Sequence, residues 1–272
     1  HEDRGFVRER TLEAYGKHYT IAYPHEEYES GRPYLVSPLY ERLKARGACF
    51  GAKLGWERPN WFADADQGAR DEYAMGRQNW FANAGAEHKA VRERAGLFDQ
   101  SSFAKFEVKG KDASAALEWI CANRISKPVG SVVYTQMLNS RGGIECDLTV
   151  TRLADDHYYV VTGTGFRTHD FHWIKDHVPD GAACSLNDVT EAWGTLVLMG
   201  PRARDILSAV TRDDISGAGF PFAQARVISI AGQAVRALRV TYVGELGWEL
   251  HVPVAGIGAV FDALMQAGGT PG

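Results

Sequence analysis

The chain has 272 residues, 45% of them hydrophobic and 24% charged, and 30 basic against 34 acidic side chains leave a net charge of −4. That length suggests one or two domains and buries most of the surface of the unfolded chain, so neither a disulfide frame nor a structural metal is needed. No basic block stands out, which disfavours nucleic acid and anionic membranes as partners. Cys49, Cys121, Cys146 and Cys184 form no C-x-x-C pair and read as reduced thiols of a cytosolic-type compartment. No apolar run reaches the roughly 18–20 residues of a membrane span. The opening His1-Glu2-Asp3-Arg4-Gly5 has neither an initiator Met nor a signal-peptide pattern, and predicts a start inside a longer protein.

Residues 1 to about 63 are aromatic, charged and proline-punctuated. One helix is expected there, from Pro38 to Arg46, with Ser37 as its cap and Pro38 in its first turn. Few apolar positions repeat at helical spacing, so the segment is expected to pack on something larger. From residue 84 the texture changes. Apolar residues three or four apart predict helices over Ala84–Ala95, Asp112–Ala122, Phe166–His177, Pro201–Val210 and Ala255–Gln266. Strands are predicted around Lys105–Lys109, Val132–Leu138, Ile144–Thr151, Tyr158–Thr162, Thr195–Met199, Arg226–Ile230, Ala234–Tyr242 and Trp248–Val252. Gly142-Gly143 and Ala231-Gly232-Gln233 read as hairpin turns. Hairpins mixed with helices argue for an α+β fold rather than a doubly wound parallel sheet.

Gly163-Thr164-Gly165 lies between a predicted strand and a helix, the setting of a dinucleotide-binding turn. Thr168 stands where the third glycine belongs, which favours a plain strand-to-helix turn. Nothing else in the chain is equipped to hold FAD or NAD. His169 and His172 are three apart on one predicted helix, a spacing that suits a metal, but Arg167, Asp170, Lys175 and Asp176 make that helix read as a solvated face. No metal site is expected. In the strand from Ile144, period two puts Ile144, Cys146, Leu148 and Val150 on one face and Glu145, Asp147 and Thr149 on the other. Composition alone reads the second face as solvated; a functional reading requires it to line a cavity. Glu249 alternates in the same way, opposite Trp248 and Leu250. A carboxylate accepts two parallel N–H groups of an amino-pyrimidinone edge, and a tyrosine such as Tyr242 can stack on such a ring.

Five ordered blocks then carry a resemblance. Glu87-His88-Lys89-Ala90-Val91-Arg92 with Gly96-Leu97-Phe98-Asp99-Gln100-Ser101, and Phe106-Glu107-Val108-Lys109-Gly110, resemble the opening of the glycine-cleavage T-protein (aminomethyltransferase) family. Tyr134 to Asn139 followed by Gly142-Gly143-Ile144-Glu145-Cys146-Asp147-Leu148 resembles its "Y-x-x-x-x-N-x-x-G-G-I-x-x-D-L" stretch. Met199-Gly200-Pro201-Arg202-Ala203 and the run from Thr241 to Leu250 match two further blocks. Upstream, Arg10 to Gly16, Ser37 to Lys44 and Gly55 to Phe62 look like the connecting region of dimethylglycine and sarcosine dehydrogenases.

The resemblance implies a T-protein-like, folate-binding module of two packed α+β subdomains over residues 64–272, ending before its C-terminal barrel. Residues 1–63 would be the connector from a preceding flavin domain, which would carry FAD. In such enzymes the flavin domain oxidises an N-methyl amine to an iminium, and the one-carbon unit reaches tetrahydrofolate bound in this module. Asp147 matches the aspartate beside the reacting folate nitrogens. Glu249 and Tyr242 match positions that hold the pterin, and Tyr134 and Phe103 match pocket positions. Thr162, where the T-protein commonly has Asn, is the remaining folate-binding candidate. The partners implied are a small-molecule substrate and folate, in the cytoplasm or, in a eukaryote, the mitochondrial matrix. A non-catalytic folate-binding module, or a T-protein-like aminomethyltransferase, is the alternative.

Overall fold

A computed structural model describes residues 3–268 and the backbone of residues 270–271; His1, Glu2, Gly269 and Gly272, at the edges of the expected connector and module, lie outside the described residues. In chain order the elements are α1 (Arg4–Lys17), α2 (Tyr40–Lys44), β1 (Ala48–Lys53), β2 (Trp56–Phe62), α3 (Phe81–Glu93), β3 (Gly96–Asp99), β4 (Ala104–Lys109), α4 (Ala113–Ile120), β5 (Val132–Leu138) and β6 (Ile144–Ala154). They continue with β7 (His157–Thr162), α5 (Arg167–His177), β8 (Ser185–Asp188), β9 (Trp193–Met199), α6 (Ala203–Val210), β10 (Ala225–Ile230), β11 (Gln233–Leu238), β12 (Gly247–Pro253), α7 (Ile257–Gln266) and β13 (Thr270–Pro271).

Two larger sheets organise the chain. One runs β10-β11-β12-β9-β3-β13 and the other β5-β6-β7-β4-β8, with β1 and β2 as a separate hairpin. Each packs helices on one face. Trp248, Leu250 and Val252 of β12 meet Ile206 and Leu207 of α6 and Val260, Phe261 and Leu264 of α7 in one core. Cys146, Leu148 and Val150 of β6 meet Leu117 of α4 and Ile174 of α5 in another. The result is the α+β arrangement expected, with a helical layer outside each sheet. The sheets also meet at a corner, where Val132 N–H donates to the Ala223 carbonyl (2.8 Å) and Ala225 N–H to that of Gly130 (2.7 Å).

Local chemistry sets the turns. Ala231 and Gly232 both take positive φ (49° and 74°), the type I′ geometry that matches hairpin twist. Between β5 and β6, Asn139 Oδ1 accepts from the N–H groups of Arg141 and Gly143, both at 3.0 Å. Gly200, after β9, has φ +136°, and a Cβ there would lie 2.5 Å from Ala95 Cα and Arg94 O. Gly200→Ala is therefore expected to lower stability by roughly 1–3 kcal/mol in a urea titration. A variant as stable as the native protein would mean the Arg94–Ala95 backbone gives way freely.

The N-terminal stretch differs most from expectation. The anticipated helix shrinks to Tyr40–Lys44, and two unexpected features flank it. The first is α1, capped by Asp3 Oδ1 on Phe6 N–H at 3.0 Å and without a single buried residue. Its apolar positions never line up on one side, so helical periodicity had nothing to register. The second is the β1–β2 hairpin, disguised by Pro59 inside a strand and by Leu54 at φ 51° in the turn. Leu39, Leu43 and Ala48 join the core under the six-stranded sheet, so this part of the chain shares that core.

Candidate functional site

Between the sheets lies a polar layer, with a small apolar cluster of Val132, Ala225 and Leu238 at the corner where they meet. On β12, Trp248, Leu250 and Val252 face the helices, while Glu249 and His251 point the other way. Register places Phe98 of β3, Val197 of β9, Glu249 and Leu238 of β11 in one cross-strand row. On the facing sheet, Tyr134, Thr149, Val161 and Lys105 form a second row, with Asp147 two residues before Thr149 on the same face. Paired strand residues share a side, so register alone fixes which groups share each face.

Contacts across the layer tie the faces together. Tyr159 of β7 puts its hydroxyl 3.1 Å from His251 Nδ1, and Thr195 Oγ1 of β9 lies at the same distance from that nitrogen. His251 Nε2 is 3.3 Å from Glu249 Oε2. Lys105 is wholly buried, its Nζ donating to the carbonyls of Ser101 (2.8 Å) and Phe103 (2.9 Å). Burial pulls the Lys105 ammonium down to about 7, against the opposing pull of the Asp99 and Glu249 carboxylates. Arg236 stacks between Tyr159 and Trp193, its guanidinium 4.2 and 4.4 Å from the ring centres. Burial lowers the His251 imidazole below its usual range, so at neutral pH the ring is uncharged.

Asp147 is exposed at the end of this face, where Gln136 Nε2 donates to its Oδ1 at 3.0 Å. Tyr134 reaches the same carboxylate, and that hydrogen bond raises the phenol above its ordinary value. Phe103 is half-buried, with the Arg58 guanidinium 5.9 Å from its ring centre. Arg58 also lines a cavity of about 440 Å³, together with Phe98, Asp99, Gln100, Arg92 and Val243. Tyr242 is 85% exposed on the loop beside Val243. Thus Asp147 and Tyr134 meet directly and Glu249 shares a row with a cavity residue, while Phe103 and Tyr242 do not line the cavity and lie next to Arg58 and Val243, which do.

Thr162 stands apart. It is buried on the opposite, helix-covered face of its sheet, where Oγ1 donates to Asp170 Oδ2 at 2.6 Å. Nor do His169 and His172 converge. His169 Nδ1 is 2.9 Å from Asp170 Oδ1 and its Nε2 is 3.5 Å from Glu145 Oε2. The bond to Asp170 is the main reason that imidazole is raised above its usual value. Cys146, His169 and Asp170 bring ligand-type atoms within 4.8 Å of one another.

Lys105, Tyr159, Thr195, Arg236 and His251 carry the layer and were absent from the sequence reading. In Ala104-Lys105-Phe106-Glu107-Val108, a lysine between apolar residues carries no sign in the sequence of a second sheet facing it. The overlooked signal was the unbroken apolar run Leu196 to Met199, which implies a strand buried on both faces.

Comparison with known proteins agrees with this architecture. Residues 39–272 match the family model of the GCVT N-terminal domain, and the chain belongs to that family. Residues 1–37 match the FAD dependent oxidoreductase central domain. The chain is similar to mitochondrial sarcosine dehydrogenase of Homo sapiens, at 37% identity over 98% of this chain and 33% of that protein. It is also similar to mitochondrial dimethylglycine dehydrogenase of Rattus norvegicus, at 36% over 97% and 31%. The chain thus spans about a third of the length of these relatives. The crystal structure of glycine cleavage system aminomethyltransferase T from Bartonella henselae superposes with a TM-score of 0.69 at 28% identity, covering 85% of this chain and 57% of that one. The two family models meet at residues 37–39. Among the described residues, no helix is long and apolar enough to cross a membrane.

Proposed function

We propose that this chain is the tetrahydrofolate-binding part of a flavin-dependent dehydrogenase that demethylates an N-methyl amine and passes the one-carbon unit to folate. The supporting observation is the pair of rows on the inner sheet faces, one with Asp147 beside it and the other containing Glu249, linked through Lys105, Tyr159 and His251. The donor and acceptor set fits a reduced folate. Glu249 is only 15% exposed in its side chain, and its Oε2 is engaged by His251, while Oε1 has no protein hydrogen bond among the described residues. That leaves acceptor capacity for a pterin's paired N–H groups.

Tetrahydrofolate supplies the amine nitrogens that take up the carbon unit. Glu249 would orient the pterin, with Tyr242 offering a ring to stack on it and Phe103 apolar contact. Asp147, steadied by Gln136, would accept a proton from the reacting amine and offset positive charge developing there. Tyr134 shares that carboxylate and would help to keep it aimed. Thr162 is left out, since its hydroxyl is committed to Asp170 on the far face. Flavin chemistry would belong to the remainder of the protein, in the mitochondrial matrix of a eukaryote or otherwise in the cytoplasm.

Glu249→Ala tests this reading. In the full-length protein it is expected to weaken folate binding by ~1–3 kcal/mol, because two pterin donors lose their acceptor. Titration of the protein's tryptophan fluorescence with reduced folate measures it. Native affinity in Glu249→Ala would remove Glu249 from the site.

A further inference from the structure

Resting on the folate reading above, we propose that His251 is a positioning residue, which orients the Glu249 carboxylate for its ligand before the ligand arrives. The imidazole is wholly buried and bonded at both nitrogens: Nε2 to Glu249 Oε2, Nδ1 to the hydroxyls of Tyr159 and Thr195. An ionised carboxylate only accepts, so Nε2 carries the proton. In the neutral ring Nδ1 then accepts through its one lone pair, which the Tyr159 and Thr195 hydroxyls share. Glu249 and His251 lie two apart on β12, with Thr195 on the neighbouring strand and Tyr159 on the opposite sheet. The ring is therefore braced from both sheets and hands one fixed N–H to Glu249.

The charged neighbours agree with this assignment. Lys105 approaches from β4 and Arg236 from β11, and both oppose a proton on His251. Glu107 of β4 faces Arg236, its Oε1 3.7 Å from Nη2. Burial keeps the ring neutral, as the tautomer requires. With Oε2 held in this way, Glu249 loses freedom before binding, and less is lost when a ligand orders it.

The test uses full-length protein and folinic acid, a stable reduced folate, with binding read by tryptophan fluorescence. His251→Met removes the donor and is expected to weaken binding roughly tenfold, as for loss of an outer hydrogen-bond partner. His251→Gln retains an amide N–H near the place of Nε2 and is expected to bind close to native. If Glu249→Ala weakens binding but His251→Met does not, the folate reading stands and the positioning role is overturned. Equal losses in His251→Met and His251→Gln overturn it as well, since rescue is what a merely structural ring would not give. Native binding by Glu249→Ala overturns the folate reading and this inference together. Should His251→Met fail to fold, nitrogen NMR of the native protein decides, with the signal assigned by its loss in His251→Gln. A proton on Nε2 supports the role, and a proton on Nδ1 overturns it.

Discussion

Asp147→Asn in the full-length protein is expected to keep reduced folate bound while one-carbon transfer falls by ~100- to 10,000-fold. The substitution preserves shape and still offers a partner to Gln136, so the local strand pairing of β5 and β6 survives. What it removes is a negative charge and a proton acceptor, the two properties the proposed role requires. Affinity should hold because Glu249 belongs to the other sheet and does not depend on Asp147. Carbon that is no longer captured should leave as formaldehyde while amine oxidation continues. Methylene-tetrahydrofolate and formaldehyde, assayed side by side with and without tetrahydrofolate, report the split. An unchanged methylene-tetrahydrofolate yield would show that Asp147 is not the reacting group.

The other large effect belongs to Lys105. Its amine lies near 7 in the fold against 10.5 for an ordinary lysine. Between those values the unfolded chain holds a proton that the folded chain has released, so folding becomes more favourable as pH rises through that window. The penalty of burying this amine is complete below about pH 7 and gone above about 10.5. Relative to Lys105→Met, native stability should therefore climb by roughly 3–4 kcal/mol between pH 7 and pH 10, at about 1.4 kcal/mol per unit. The difference isolates Lys105 from other titrating groups common to both proteins. Lys105→Met also leaves the Ser101 and Phe103 carbonyls without their donor, a cost that does not vary with pH and so drops out of the slope. Urea unfolding of both proteins at each pH gives the result, and a flat difference would mean that the buried amine stays charged throughout.

Much of the fold could be read from residue order because long elements repeat their pattern. The helix expected over Phe166–His177 is found over Arg167–His177, and the strand expected over Val132–Leu138 has those very ends. The strand through Asp147 splits its faces as alternation predicts, except that Ile144, at its start, is 66% exposed. Short strands escaped notice. Gly96–Asp99 and Ser185–Asp188 have four residues each, too few for period two to speak. The candidate site was legible only as separate blocks. A single strand's alternation cannot tell water from a second sheet, so Lys105, Tyr159 and His251 were invisible as a group. Pairing partners decide that, and they come from residues as far apart as Phe98 and Val197.

The corner where Val132 and Ala225 bond across to the neighbouring sheet has a bearing on solubility. β5 and β10 are each the last strand of their sheet, and a last strand offers unpaired N–H and C=O groups to any passing chain. At this corner each strand covers the start of the other, through Val132 N–H on Ala223 and Ala225 N–H on Gly130. Neither sheet can then grow outward there by adding a stranger, and the protein guards two vulnerable margins with one exchange of backbone hydrogen bonds.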